Sequence, residues 1–163
     1  MEEAGHWSDF FLGEVGAAAA LAGFVIVAAS INLQRILEFP QLPGRAGEIL
    51  IMLVGALLAS SAALLPGQPL RLFGYEIIAV ALFITVPPLW IQMRTLFAVR
   101  NQQVHWWLWR LVIVFAVGVP MFVGGALLAT GDESGVYWVA ASVLTIFVAT
   151  VWNAWVLLIE ILR

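Results

Sequence analysis

Glu14, Asn32, Glu76 and Asn153 are the side chains on which any chemistry of this chain must rest, because each lies within or at the edge of a long apolar run. A carboxylate or amide at such depth in hydrocarbon is costly. Polar groups kept there line ion or proton pathways, or fasten one helix to another. A carboxylate there can hold a proton or attract a cation, and an amide can both donate and accept. These four are therefore the candidates for a pathway or an ion-binding site. Glu14 and Glu76 are expected at similar depth, so they are also candidates to approach each other and resist joint ionisation.

Nothing else in the chain announces catalysis. The sequence holds no Gly-x-Ser-x-Gly, no His-Glu-x-x-His, no P-loop and no dinucleotide glycine motif. It has no cysteine, hence no thiolate nucleophile, no disulfide framework and no Cys-type metal site. His6 and His105 fall on opposite sides of the membrane in the topology below. No enzymatic activity, cofactor or metal centre is expected, and no basic patch is large enough for nucleic acid.

The elements that must position these residues are written in the hydropathy. Of 163 residues, 63% are hydrophobic and 10% are charged, with a mean hydropathy of +1.03. A soluble domain could not cover its surface with so few polar side chains. The expected fold is an all-α, polytopic bundle of five transmembrane spans in a single membrane domain. The spans are expected at about 10–31, 49–65, 75–93, 108–129 and 136–159. Pro40, Pro43 and Gly44 separate the first two, Pro66-Gly67-Gln68-Pro69 turns after the second, and Gly131 to Gly135 follows the fourth. Ser8 reads as the cap of the first helix. Glu14 interrupts the apolar run that a cleaved signal peptide would need, so the first span is expected to be retained.

All seven basic residues are arginine, and six collect in alternate gaps: Arg35, Arg45, Arg94, Arg100, Arg110 and Arg163, with only Arg71 on the other side. The positive-inside rule then places the N-terminus outside and the C-terminus in the cytoplasm. Arg45 with Glu48, and Arg35 with Glu38, read as solvated ion pairs of little consequence. Trp90, Trp106, Trp107, Trp109, Trp152 and Trp155 read as an inner headgroup belt, with Trp7 and Trp138 at the outer ends. The stretch 94–105 is expected to lie partly along the interface.

The first span carries two faces. Glu14 and Asn32 are 18 positions apart, about five helical turns, with Ala17, Ala18, Leu21, Val25 and Ala28 between them on one face. The opposite face repeats Gly13, Gly16, Ala20 and Gly23, a small-residue seam suited to close helix approach. Gly55 and Ala59 offer a similar seam in the second span. Pro87, Pro88 and Pro120 each remove a backbone hydrogen bond inside a span and are candidate hinges. Ser142, Ala149, Asn153 and Glu160 fall near one line of the fifth span.

The segments Trp7 to Phe11, Glu14 to Gly23, Ser30 to Leu33 and Arg35 to Leu37, with the turn Leu65-Pro66-Gly67-Gln68, carry a likeness. They resemble a family of small bacterial integral membrane proteins, some labelled modulator of the FtsH membrane protease. The resemblance covers roughly the first 70 residues and the remainder only in hydropathy. It implies a multi-pass protein of the bacterial inner membrane and no established activity. The functional expectation is a small oligomeric channel or transporter for protons or small ions. The alternative is a non-enzymatic assembly or regulatory partner, for example a modulator of a membrane protease. The expected partners are the lipid bilayer, further copies of the chain and, in the alternative, another membrane protein.

Overall fold

The computed structural model of the chain describes residues 2–39, 42–98 and 104–162, with side chains described over 7–39, 42–94 and 108–155. Six helices account for it: α1 (Glu2–Ile31), α2 (Leu33–Glu38), α3 (Leu42–Ala63), α4 (Leu70–Ala98), α5 (Val104–Thr130) and α6 (Gly135–Leu162). Five of them are long and apolar enough to cross a bilayer, α2 being too short. Among the described residues there is no strand.

The span boundaries follow local chemistry that hydropathy alone blurs. The second span begins at Leu42 rather than 49, because Pro43 sits in the first turn, where its missing N–H leaves no helical bond unmade. α1 starts at Glu2, so Ser8 lies inside the helix and caps nothing. At its far end the hydroxyl of Ser30 donates to the Ile26 carbonyl (2.7 Å), and the amide of Asn32 donates to the Ala28 carbonyl (2.9 Å). Such back-bonding bends helices, and it divides α1 from α2. Phe39, which precedes Pro40, takes the extended conformation that a following proline favours. The third gap holds no separate interfacial helix over its described part. α4 runs on to Ala98 and α5 resumes at Val104, while 99–103 and the side chains of 95–107 lie outside the described residues.

The turns at the opposite end are tight. Gly67 (φ +69°) and Gly131 (φ +95°) adopt left-handed backbone conformations that other residues enter only at a cost. After Gly131, the Asp132 carboxylate accepts the Ser134 N–H (2.9 Å) at the start of α6. That N–H, and the Ser134 hydroxyl after it, hold the Asp132 carboxyl below its ordinary range.

α3, α4, α5 and α6 form a ring in that order, each packed against its two neighbours. The helices run antiparallel: Gly74 meets Ala129, Gly118 meets Thr85, Gly124 meets Gly135, and Gly44 meets Ile91. Gly55 and Ala59, read as a seam, are used inside this ring, where Ile84 packs directly over Gly55. α1 stands outside it, docked on α3 and barely touching α6. Only 17% of its apolar window is buried, against 50% for α3. Phe11 and Ala18 face α3 and are buried, whereas Gly13, Gly16, Ala20 and Gly23 are exposed. A β-carbon at any of those three glycines would meet nothing within 4 Å.

The prolines do not interrupt their helices. α4 remains helical through Pro87 and Pro88, and α5 through Pro120. Trp7 is not simply a belt residue. It packs edge-on against Phe10 and against Tyr137 of α6, and stacks on Phe11.

Candidate functional site: a polar layer at one end of the bundle

Polar side chains from every helix of the ring meet at the arginine-bearing end: Arg45 and Glu48 from α3, Gln92 from α4, Arg110 from α5 and Asn153 from α6. Each helix delivers its residue for a local reason. Glu48 and Arg110 lie in the second turns of α3 and α5, and Gln92 falls one turn past the Pro87-Pro88 pair. Asn153 continues the inward line of α6 marked by buried Ser142 and Ala149. Glu160, placed on the same line, lies outside the described side chains.

The chemistry of the layer is an ion pair across the bundle. Nη2 of Arg110 donates to Oε1 of Glu48 at 2.5 Å, and the two side chains are only 15% and 11% exposed. α3 and α5 are diagonal in the ring, so this bond crosses its centre where two long side chains can span the gap. Arg45 lies close enough to add its charge to the pair's surroundings. Gln92 is 1% exposed and sits beside the Glu48 carboxylate, yet neither atom of its amide closes a hydrogen bond among the described residues. Between these groups remains about 10 Å³ of space open to the centre of a water-sized sphere. That is room for one water, and a water can both accept from and donate to an amide.

This corrects the reading of Glu48 and Arg45 as a solvated surface pair. Glu48 is buried within the second span, and its hydrogen-bonded partner is Arg110, 62 positions away. Among the described residues a cation–π contact joins Arg94 and Trp90 on α4, at 3.7 Å from the ring centre. Gln92 escaped the sequence reading altogether, since it stands among Trp90, Met93 and Arg94 at what reads as an interface. The available signal was the Pro43-Gly44 pair: read as a first helical turn, it draws Glu48 into the membrane and demands an internal partner.

The four pathway candidates are not assembled in one place. Glu14 is half-buried on α1, outside the ring. Asn32 spends its amide on the Ala28 carbonyl at the α1–α2 bend. Glu76 lies at the end of the bundle remote from the polar layer, accepting a 2.6 Å hydrogen bond from Gln68 in the preceding turn. Only Asn153 reaches the layer. Glu14 and Glu76 sit on helices that do not pack together as main neighbours, since α1 lies on α3 and α4 lies between α3 and α5.

Between the layer and the Glu76 end, the ring is filled with apolar side chains: Ile84, Val117, Met121, Val143, Ile146 and Leu128 are each at most 1% exposed. The polar groups found there turn onto backbone. Ser142 of α6 donates to the Val117 carbonyl of α5 (2.7 Å), and Thr85 to its own helix at Ala81 (2.6 Å). The hydroxyl of Ser60 is buried without a partner among the described residues. No group of three or more metal-ligating side chains occurs among the described residues.

Fold and site together define an all-helical, multi-pass membrane protein with a one-sided buried polar layer. No protein-family model, curated protein or solved structure matches this chain.

Proposed function

We propose that this chain is a non-enzymatic membrane assembly or regulatory partner, acting through helix association rather than through conduction. The observation that carries the reading is the exposed seam of α1, where Gly13, Gly16, Ala20 and Gly23 stand opposite the face docked on α3. Small residues let a second helix approach closely, and close approach is a main source of helix affinity in lipid. The partner is a second copy of the chain or another membrane protein. The conducting alternative draws less support, because the ring interior is packed and the polar candidates are dispersed. A likeness to proteins labelled as protease modulators agrees with a partner role and adds no activity of its own.

Purified protein in liposomes is expected to pass no protons, monovalent cations or anions above the protein-free background, across a range of pH and voltage. Saturable flux that Glu14→Gln abolishes would overturn the reading. In mild detergent, Gly16→Leu and Gly23→Leu are expected to weaken self-association without loosening the packing inside the chain, since neither residue faces a neighbour among the described residues. Light scattering corrected for the micelle gives the mass. A monodisperse monomer from the unsubstituted chain would remove the second copy as partner.

The orientation belongs to the same proposal: N-terminus outside, polar layer and C-terminus towards the cytoplasm of a bacterial inner membrane. It rests on the arginine distribution. With no native cysteine, single cysteines at exposed Glu38 and exposed Asp132 report it in intact cells. An impermeant maleimide is expected to label position 132 and spare position 38, and the reverse pattern would invert the topology.

A further inference from the structure

Because α1 and α6 both lean on α3 but scarcely touch each other, a crevice of about 290 Å³ opens between the three helices. Its walls are apolar: Leu21 and Val25 from α1, Leu53 from α3, Val151 and Ala154 from α6. The one hydroxyl in the lining, that of Thr150, already donates to the Ile146 carbonyl at 2.8 Å. Such a space gives water nothing to bond and stays dry. Left empty, its lining would forfeit dispersion contacts on one side.

The position of the crevice says what fills it. Its α1 wall runs from Leu21 to Ala29, about 12 Å of helix rise, in the half of the span nearer the arginine-bearing end. The hydrocarbon of one leaflet is about 15 Å deep, half of a ~30 Å core. The α6 wall ends at Trp155, an exposed indole of the kind that settles at headgroup level. Asn32 marks the same end of the same α1 face. The crevice thus has the depth of a single leaflet, an aromatic and polar mouth, and inside it no hydroxyl but that of Thr150, already bonded to its own helix. We infer that it is a lipid site holding one acyl chain of a phospholipid from the leaflet on the arginine-bearing side. The face of α1 bounded by Glu14 and Asn32 is then a wall for hydrocarbon. The site is distinct from the glycine seam on the far side of α1, so it stands or falls independently of the association proposed above.

The test uses the unsubstituted chain in phosphatidylcholine vesicles doped with phosphatidylcholine carrying a mid-chain diazirine. After photolysis, peptide mass spectrometry reads the labelled residues. Leu21 and Val25 line the crevice and are only partly buried, so an acyl chain seated there reaches both. Label is expected on both, alongside outward-facing residues such as Val148. Native mass spectrometry after detergent exchange is expected to find one phospholipid retained per chain. Filling the crevice with Ala154→Phe is expected to abolish both signals while Val148→Phe preserves them. Label confined to outward-facing residues, or loss of all phospholipid on exchange, would overturn the proposal. So would a chain-to-chain crosslink through Val25 or Leu53, which would make the occupant protein.

Discussion

Replacing Glu48 by leucine, or Arg110 by leucine, is expected to destabilise the bundle by ~3–5 kcal/mol, because either change strands the other charge in a buried site. The pair is 15% and 11% exposed, and its bond crosses the ring beside a space of about 10 Å³, room for one water. Reversible unfolding in mixed micelles, followed by helicity, measures the loss. The double replacement Glu48→Leu with Arg110→Met is expected to recover most of it, since an apolar pair of similar volume removes both desolvation costs. Losses below ~1 kcal/mol for the single variants, the level of exposed pairs, would mean that the pair is solvated after all. Gln92→Leu in the same assay is expected to be neutral or stabilising, because neither atom of its amide closes a hydrogen bond among the described residues. A clear loss there would reveal a bound water that the amide needs.

The second large effect is steric. At Gly74 a β-carbon would fall on the backbone of α5, onto the Ala129 nitrogen and within 2.7 Å of the Ala129 Cα and the Leu128 carbonyl carbon. Backbone cannot rotate away as a side chain can, so Gly74→Ala must drive α4 and α5 apart at a cost of ~1–3 kcal/mol or more. Gly135→Ala is expected to behave alike, since its β-carbon would stand 2.5 Å from the Gly124 carbonyl oxygen. The same substitution at Gly16, where the space is open, is expected to be neutral or to stabilise by up to ~1 kcal/mol through helix propensity. Equal effects at Gly74 and Gly16 in thermal melts would count against the packing described for α4 and α5.

The contrast between Gly74 and Gly16 shows how far a sequence can be read. Both are glycines in apolar runs, and a period of three to four residues says only that a face is small. It does not say whether that face meets a helix of the same chain, another protein or lipid. The Glu14–Asn32 face fails in the same way: its angular alignment was legible, but the apolar crevice along it depends on α6 standing away from α1. Pro43 misled in the opposite direction, since a proline that removes a backbone bond in a helix interior removes none in its first turn.

The sequence by itself determined that this chain is helical, has five runs long and apolar enough to cross a membrane, and turns at Gly67 and Gly131. Those features depend on quantities summed locally along the chain: apolar length against bilayer thickness, and backbone conformations that glycine alone enters freely. The tertiary structure decided that Glu48 faces Arg110 across 62 positions and that Gln92 joins them. It also decided which glycine seam is spent inside the ring and which is left open. These turn on the order of the helices in the ring and their relative rotation. That order is set by the close fit of whole faces in a medium that gives apolar side chains no preference between protein and lipid.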